Sequence, residues 1–157
     1  MKKLIVLLFV AISGIAFAQS TEISGKYDKI GKFVNGVAIV HKGGLVGAIN
    51  ADGKEVIKPT YEKITAFGKD GVAYTHKNGL VGLIDNHGKV IVDNTYDMIG
   101  HFSGGKAVIK KNGLCGVINK NGKVIIEPKY AKLNLEKGGV VKAVTDDGSE
   151  VLLKTGE

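Results

Sequence analysis

The sequence has no tryptophan, and it has only one cysteine and two prolines among its 157 residues. A single cysteine, Cys115, excludes a disulfide bond within the chain. It lies between Leu114 and Gly116 in an apolar segment, so we expect a buried free thiol that packs as a small hydrophobic side chain. The length is that of one ordinary domain, which can bury its own core.

Arginine is also absent, so all 22 basic residues are lysines. Proteins that read nucleic acid usually depend on the planar, bidentate guanidinium group of arginine. We therefore interpret the formal charge of +7 as a contribution to solubility and expect no nucleic-acid partner. A weak attraction to an anionic cell surface or polysaccharide stays open.

The long apolar run of the chain lies at its N-terminus. Two lysines precede an apolar segment at residues 4–15, and an Ala-Phe-Ala motif at residues 16–18 supplies the small residues of a signal-peptidase site. The segment is shorter than the roughly 20 residues that span a bilayer. We predict a signal peptide over residues 1–18 and a leader over residues 19–26. The mature protein is then exported, periplasmic or extracellular, without stable membrane insertion.

A period of 34 or 35 residues organises the rest of the chain, and its anchors are Tyr27, Tyr61, Tyr96 and Tyr130. A Gly-Leu-x-Gly-x-Ile block recurs in the same register at residues 44–49, 79–84 and 113–118. Such self-similarity is typical of repeat proteins, whose terminal units are often atypical caps. The predicted β-repeat domain covers residues 27–157, with units at 27–60, 61–95 and 96–129 and a truncated capping unit at 130–157.

The apolar runs between the glycines are short and rich in β-branched residues, which favours strands over helices. Six dipeptides predict type I′ hairpin turns, which need positive φ at both central residues. They are Gly43-Gly44, Asp52-Gly53, Asn78-Gly79, Asn112-Gly113, Asn121-Gly122 and Asp147-Gly148.

Two such turns in each unit predict an all-β fold: a tandem array of about three and a half three-stranded antiparallel meanders. A small closed propeller-like ring is the alternative. In the last unit, residues 139–148 repeat the pattern of residues 44–53. This similarity places the last unit about eight residues ahead of the period.

One glycine recurs inside the second predicted strand of each full unit, at Gly47, Gly82 and Gly116. Glycine weakens a strand interior, so its recurrence indicates a bulge or a close approach of two backbones. We expect these glycines and the four anchoring tyrosines to have structural roles.

These residues resemble the WG-repeat family, whose unit combines Tyr-Asp-x-Ile, Phe-x-x-Gly-x-Ala, a Trp-Gly core and a following Gly-Lys. The similarity extends from residue 27 to about residue 153. The tryptophan position holds Val46, Val81 and Cys115, so the chain is similar to a degenerate member. The resemblance implies β-hairpin repeats in a mostly bacterial family with no common enzymatic activity, and it implies a role in binding or interaction.

Two histidines, His41 and His76, occupy equivalent places in successive units. Stacked units would bring them close enough to share a metal ion. Two histidines make an incomplete zinc site, however, and the third unit has Lys110 at this position. A solvent-facing position near a strand end explains them equally well. We expect neither a metal nor a cofactor.

An acidic residue follows three of the anchoring tyrosines, at Asp28, Glu62 and Asp97. Paired carboxylates can perform acid–base catalysis, but these lie a full repeat apart and have no nucleophile beside them. A capping hydrogen bond or a salt bridge to a lysine is the favoured interpretation.

A lysine recurs just after a predicted turn, at Lys54, Lys89 and Lys123. Aligned across stacked units, these lysines would form a basic stripe for an acidic ligand. The alternative is that they protect strand edges from aggregation.

No nucleophile elbow, phosphate loop or zinc-protease motif is present in the sequence. The leading hypothesis is therefore a non-enzymatic exported repeat protein that offers a β-surface to a protein or polysaccharide at the cell envelope. A hydrolase or other enzyme with an unrecognised site between repeats is the first alternative. A purely structural envelope component is the second.

Overall fold

The computed structural model describes residues 25–155, which form four antiparallel sheets of consecutive strands. Sheet 1 holds β1 (Lys29–Val34), β2 (Val37–Lys42), β3 (Leu45–Asn50) and β4 (Glu55–Tyr61). Sheet 2 holds β5 (Lys63–Ile64), β6 (Val72–Lys77), β7 (Leu80–Asp85) and β8 (Val90–Tyr96). Sheet 3 holds β9 (Met98–Ile99), β10 (Lys106–Lys111), β11 (Leu114–Asn119) and β12 (Val124–Tyr130). Sheet 4 holds β13 (Lys132–Leu135), β14 (Val140–Val144) and β15 (Glu150–Lys154).

The all-β tandem array expected from the sequence is confirmed, and the sheets do not close into a barrel. Three sheets have one strand more than expected, because the segment after each tyrosine forms a first strand. Tyr61, Tyr96 and Tyr130 each end the fourth strand of one sheet, and the next sheet begins two residues later. The predicted signal peptide and most of the predicted leader lie outside the described residues. None of the helical segments within residues 25–155 has the length and apolarity of a membrane span.

The predicted type I′ turns form between the second and third strands of the first three sheets. Both central residues have positive φ at Gly43-Gly44, Asn78-Gly79 and Asn112-Gly113. The same prediction is wrong for the other three dipeptides, Asp52-Gly53, Asn121-Gly122 and Asp147-Gly148, where only the glycine has positive φ. There a side chain at the start of the turn accepts backbone hydrogen bonds, as described below.

The two features that the sequence offered as alternatives, a bulge and a close approach of two backbones, occur together at the glycine inside each third strand. Opposite Gly82 the register of β7 and β8 shifts between Val81 and Leu83. A Cβ at Gly82 would lie 2.5 Å from the Val92 carbonyl oxygen and 3.0 Å from the Asn94 nitrogen. The fourth strand therefore bulges directly against the glycine backbone. Gly47 and Gly116 are enclosed in the same way, and we refer to the three as the crossing glycines.

The sheets stack face to face, and each interface is a hydrophobic cluster. The first interface joins Val46, Ala48 and Ile57 of sheet 1 to Ile64 and Ala73 of sheet 2. Equivalent clusters join sheet 2 to sheet 3 and sheet 3 to sheet 4. Among the described residues no cluster joins the first sheet to the last, so the described sheets form an open row.

Sheet 4 corrects the alignment of its residues with the earlier units. Leu133 pairs with Ala143 as Ile30 pairs with Val40, so β14 occupies the place of β2 and not of β3. β15 then occupies the place of β3, and Val151 stands where Gly47 stands in sheet 1. Within the described residues sheet 4 has no fourth strand. The glycine periodicity alone was misleading here because the β13–β14 loop also carries a glycine pair, Gly138-Gly139, at positive φ.

Candidate functional site

The turns between third and fourth strands lie along one edge of the stack, which we call the turn edge (residues 51–54, 86–89 and 120–123). Each turn is held by a side chain at the end of the third strand. The Asn50 Oδ1 atom accepts hydrogen bonds from the Asp52 nitrogen at 3.1 Å and the Lys54 nitrogen at 2.9 Å. Asp85 and Asn119 repeat both contacts at 2.8–3.0 Å. This side-chain closure replaces the type I′ geometry.

The lysines predicted to form a basic stripe are the last residues of these turns. Lys54, Lys89 and Lys123 are all exposed, and their backbone nitrogens are the ones bound by the turn side chains. The backbone of each lysine is therefore fixed while its ammonium group extends from the turn edge. We refer to the three as the lysine row.

Contacts between sheets place the turns one after another along the same edge. The Asn86 nitrogen donates to the Gly71 carbonyl at 2.9 Å, and the Asn86 side chain donates to the Asn35 carbonyl of sheet 1 at 3.3 Å. In the next turn, Lys120 forms a salt bridge with Asp70 of sheet 2 at 3.5 Å. The second and third turns are thus each tied to the preceding sheet, so the lysine row runs along the stack.

The opposite edge carries the type I′ turns, and we call it the hairpin edge (residues 43–44, 78–79 and 112–113). Here the recurrent carboxylates accept hydrogen bonds from turn nitrogens. Asp28 accepts from Gly43 at 2.7 Å, Glu62 from Asn78 at 2.8 Å, and Asp97 from Gly113 at 3.1 Å. The predicted capping role is confirmed. These carboxylates hold the chain before each first strand against the following hairpin.

His41 and His76 lie at equivalent positions near the ends of β2 and β6, where both are half-buried. Each is paired on both sides, His41 with Lys29 and Val46, and His76 with Lys63 and Val81. Within residues 25–155 no group of three or more metal-ligating side chains comes together.

Cys115 is half-buried, which makes it less enclosed than the sequence indicated. Its thiol donates to the Ala131 carbonyl at 3.7 Å, and its side chain packs against the cluster between sheets 3 and 4. Val46 and Val81 occupy the same position beside their crossing glycines. The thiol thus takes a place that aliphatic side chains fill in the other sheets.

Tyr61, Tyr96 and Tyr130 are packed into the sheet interfaces, whereas Tyr27 is buried against sheet 1 alone. Burial raises the pKa of Tyr27, and its hydrogen bond to Glu55 at 3.0 Å adds to the effect. Burial also raises the pKa values of Tyr61 and Tyr96, with smaller contributions from Asp93 and Glu127 respectively. The phenols thus stay protonated at neutral pH and act as packing residues.

Sequence reasoning missed a buried polar pair in sheet 2. Thr75 is 1% exposed, and its hydroxyl donates to the Asn94 Oδ1 atom at 3.3 Å. The Asn94 amide donates to the Thr75 and Leu80 carbonyls, both at 3.0 Å. Asn94 stands two residues before Tyr96, as Pro59 and Pro128 stand before their tyrosines. The missing third proline was the signal in the sequence.

A small pocket of 270 Å³ lies between the β9–β10 and β13–β14 loops. Its lining combines glycine backbone with the side chains of Lys106, Glu136, Lys137 and Thr155. The Thr155 hydroxyl is already bonded to the Gly139 carbonyl at 2.7 Å. None of the residues predicted from the sequence as site residues lines this pocket.

The repeating geometry agrees with a comparison to known families. The model of the "WG containing repeat" family matches residues 22–45, 47–80, 82–115 and 116–142. The chain belongs to this family. The last three matched units begin at the crossing glycines, so the tryptophan position falls at unit boundaries, where this chain has Val46, Val81 and Cys115.

Solved structures show weaker likenesses, and no curated protein matches the chain. A computationally designed protein, Ika4, is 16% identical with a TM-score of 0.41, and the match covers 81% of this chain and 89% of that one. Virginiamycin B lyase from Staphylococcus aureus is 18% identical with a TM-score of 0.36, over 80% of this chain and 54% of the lyase. At these TM-scores neither likeness carries an argument about function.

Proposed function

We propose that this chain is an exported, non-enzymatic repeat protein whose lysine row binds an acidic ligand at the cell envelope. The observation that carries the proposal is the lysine row itself: three exposed lysines, one in each of sheets 1 to 3, on turns fixed by side-chain hydrogen bonds. The apolar segment and small-residue motif at the N-terminus support export.

The spacing of the row favours a ligand whose negative charge repeats. Stacked sheets lie ~10 Å apart, so a ligand that contacts all three lysines must carry negative charge at more than one point along its length. Backbone fixation lowers the ordering cost of binding, although each lysine side chain keeps its own rotamer freedom. An acidic protein surface is the other source of such charge, and the test below separates the two.

The competing interpretation is edge protection, which needs no ligand. Lysine on an exposed edge discourages sheets from pairing with other chains. The lysines of the row, however, lie at hydrogen-bonded turns just before the fourth strands. A charge at the end of a strand adds little protection to the middle of that strand. Edge protection of β4 and β12 is better explained by Pro59 and Pro128, which lie within those strands.

A matched pair of triple variants tests the proposal. In the first, the lysine row is replaced (Lys54→Gln, Lys89→Gln, Lys123→Gln). In the control, three exposed lysines at the hairpin edge are replaced (Lys42→Gln, Lys77→Gln, Lys111→Gln), which changes the net charge by the same amount. Binding to a uronic-acid polymer and to neutral dextran is measured by calorimetry at low and high salt.

We expect the row variant to bind the acidic polymer at least ~10-fold more weakly than the control, with binding in both weakened by salt because exposed charges are screened. Equal loss in the two variants would show that only net charge matters and would contradict the proposal. Binding of an acidic envelope protein, but no polymer, through the same lysines would reassign the ligand.

The enzymatic alternative requires a pocket that encloses a substrate with converging polar groups. The 270 Å³ pocket between sheets 3 and 4 is slightly smaller than the usual range of ligand sites, about 300–1,000 Å³. The lysine row has no such enclosure because it lies on exposed turns. Binding is therefore the function we favour for it.

A further inference from the structure

β15 is an open edge strand. In sheets 1 to 3 the third strand is covered by a fourth, but within residues 25–155 only β14 pairs with β15. Val151 and Leu152 are 38% and 71% exposed, and consecutive strand residues point to opposite faces. The face of β15 that carries Leu152 is therefore open, whereas on the other face Leu153 packs against the cluster between sheets 3 and 4. An exposed apolar edge strand is a template for pairing with another strand.

The hydrogen bonds between β14 and β15 fix which backbone groups face the open edge. At the two ends of the pair, the Thr155 nitrogen donates to Gly139 and the Thr145 nitrogen to Ser149, both at 3.0 Å. Hydrogen-bonded pairs alternate along an antiparallel ladder. The backbone groups of Val151 and Leu153 therefore bond to β14. Those of Glu150, Leu152 and Lys154 point outward.

The outward residues on either side of Leu152 carry opposite charges, since the strand reads Glu-Val-Leu-Leu-Lys. We propose that β15 pairs antiparallel with β15 of a second copy of this chain, with a twofold axis at Leu152. Every outward N–H then meets an outward C=O. Glu150 lies opposite Lys154 of the second copy at both ends, and the two exposed Leu152 side chains are neighbours on one face.

Glu150 is already placed for this contact. It forms a salt bridge with Lys142 at 2.9 Å on the same face of the sheet. Lys154 of the second copy would approach from the other side, so the carboxylate would lie between two lysines. Cross-strand pairs of opposite charge stabilise an antiparallel ladder, whereas like charges directly opposite destabilise it.

Val151 determines which kind of strand can pair with β15: a regular strand can, whereas the bulged fourth strand of another repeat cannot. It occupies the place of the crossing glycines, where a Cβ at Gly116 would lie 2.5 Å from the Ile126 carbonyl oxygen. A bulged fourth strand cannot approach a valine in this way. A second β15 has no bulge and pairs in register, so the valine side chain does not obstruct it.

This inference concerns a different surface from the lysine row and does not depend on the proposed function. Its test is sedimentation velocity of the purified protein over a range of concentrations. We expect a reversible dimer, and we expect Leu152→Glu to weaken dimerisation at least ~10-fold because two carboxylates would face each other at the axis. Leu45→Glu, at another exposed leucine, is the control and should leave the dimer unchanged.

Exchanging the charges at Glu150 and Lys154 gives a test whose expected result misfolded variants could not produce. Glu150→Lys and Lys154→Glu each place like charges opposite one another in their own homodimers, so each variant alone should dimerise more weakly. Mixed in equal amounts, they should form a heterodimer in which every pair is again opposite in charge. Hydrogen exchange should show that dimerisation protects the amides of residues 150, 152 and 154, whereas the amides of residues 151 and 153 are already protected in the monomer.

A protein that stays monomeric at all accessible concentrations would overturn the proposal. So would a dimer that Leu152→Glu does not weaken, or two charge variants that fail to associate when mixed. Protection of the amides of residues 151 and 153 only upon dimerisation would overturn the assignment of the outward groups.

Discussion

Thr75 and Asn94 show how one repeat exchanges apolar for polar packing at a single place. Thr75 pairs with Gly82 as Val40 pairs with Gly47, and Asn94 takes the place of a proline. A buried hydroxyl needs a partner, and the Asn94 side chain supplies it. With a proline at residue 94, the Thr75 hydroxyl would be left unpaired, so the threonine depends on the asparagine.

A double-mutant cycle on this pair is the prediction at the scale of residues. Asn94→Pro should destabilise the protein by about 1–3 kcal/mol, the usual cost of leaving a buried polar group unpaired. Thr75→Val in the same chain should recover part of that loss, because it rebuilds the apolar pair of sheet 1. The free energies of unfolding in urea of both single variants, the double variant and the parent give the coupling energy.

We expect a coupling of about 1 kcal/mol in favour of the double variant. Strictly additive losses would show that the two side chains do not act as a pair. The same cycle can be read from the other direction in sheet 1, where Val40→Thr should be tolerated better when Pro59 is also replaced by asparagine.

The crossing glycines could be predicted from the sequence because a glycine repeated inside a strand has few physical explanations. The Thr75–Asn94 pair is marked in the sequence only by the missing proline, and the contact itself could not be predicted because its partners are 19 residues apart and only the folded sheet brings them together. The half-burial of Cys115 was also beyond the sequence, since it depends on how sheet 4 covers sheet 3. Local patterns thus predicted backbone features better than they predicted side-chain environments.

At the scale of elements, each hairpin on the hairpin edge is tied to the chain entering the same sheet. The carboxylate of Glu62 reaches the Asn78 nitrogen across 16 residues. This contact joins the start of β5 to the β6–β7 turn, so the short β5 does not depend on its two ladder residues alone. In sheet 4 this position holds Ala131, and the turn there is closed by its own Thr145 and Asp147 side chains.

Removal of this cap gives the prediction for an element. Glu62→Ala should destabilise the protein by about 1 kcal/mol, and hydrogen bonds to charged groups can reach roughly 1.5–3 kcal/mol. Glu62→Gln keeps an acceptor oxygen and should lose less. Thermal unfolding measures the stability of both, and hydrogen exchange should show faster opening of the β6–β7 hairpin in the alanine variant.

A loss in the glutamine variant as large as in the alanine variant would show that charge, not hydrogen bonding, is the source of the effect. Ala131→Asp in sheet 4 is the matched control. Its turn has a different length and its own closure, so we expect no comparable gain in stability from the added carboxylate.

For the whole molecule, one construction rule accounts for the row of sheets. In sheets 1 to 3 the fourth strand crosses a glycine of the third strand, and the chain turns at the tyrosine that ends the fourth strand. The next sheet then packs on a face of the sheet that the fourth strand has completed. Sheet 4 departs from the rule at one residue, Val151, and among the residues that the structure describes no fourth strand crosses it. The face of sheet 4 that corresponds to the face of sheet 1 packed against sheet 2 carries the salt-bridged pair Lys142–Glu150. In sheet 1 the equivalent positions hold Ile39 and Val46.

The period, the strands and the crossing positions were therefore predictable from the sequence, because each follows from a residue type repeated at fixed spacing. The first strand of each sheet was not, since β5 and β9 have only two residues and show no alternation. The alignment of the last sheet was wrong because two different loops carry glycine pairs. Pairing, which joins residues far apart in the chain, decides between such alternatives.

The most direct test of this account is a reciprocal exchange at the crossing position, measured by urea unfolding. Gly82→Val places a side chain against the Val92 carbonyl and should cost at least ~3 kcal/mol, the upper range for overpacking, or prevent folding. Val151→Gly restores the glycine where no strand crosses. It should cost less, about 1–2 kcal/mol, because it removes a partly exposed isopropyl group and adds the ordinary effect of glycine in a regular element. If Gly82→Val instead unfolds within experimental error of the parent, or if the two exchanges cost the same, the crossing glycines do not organise the fold.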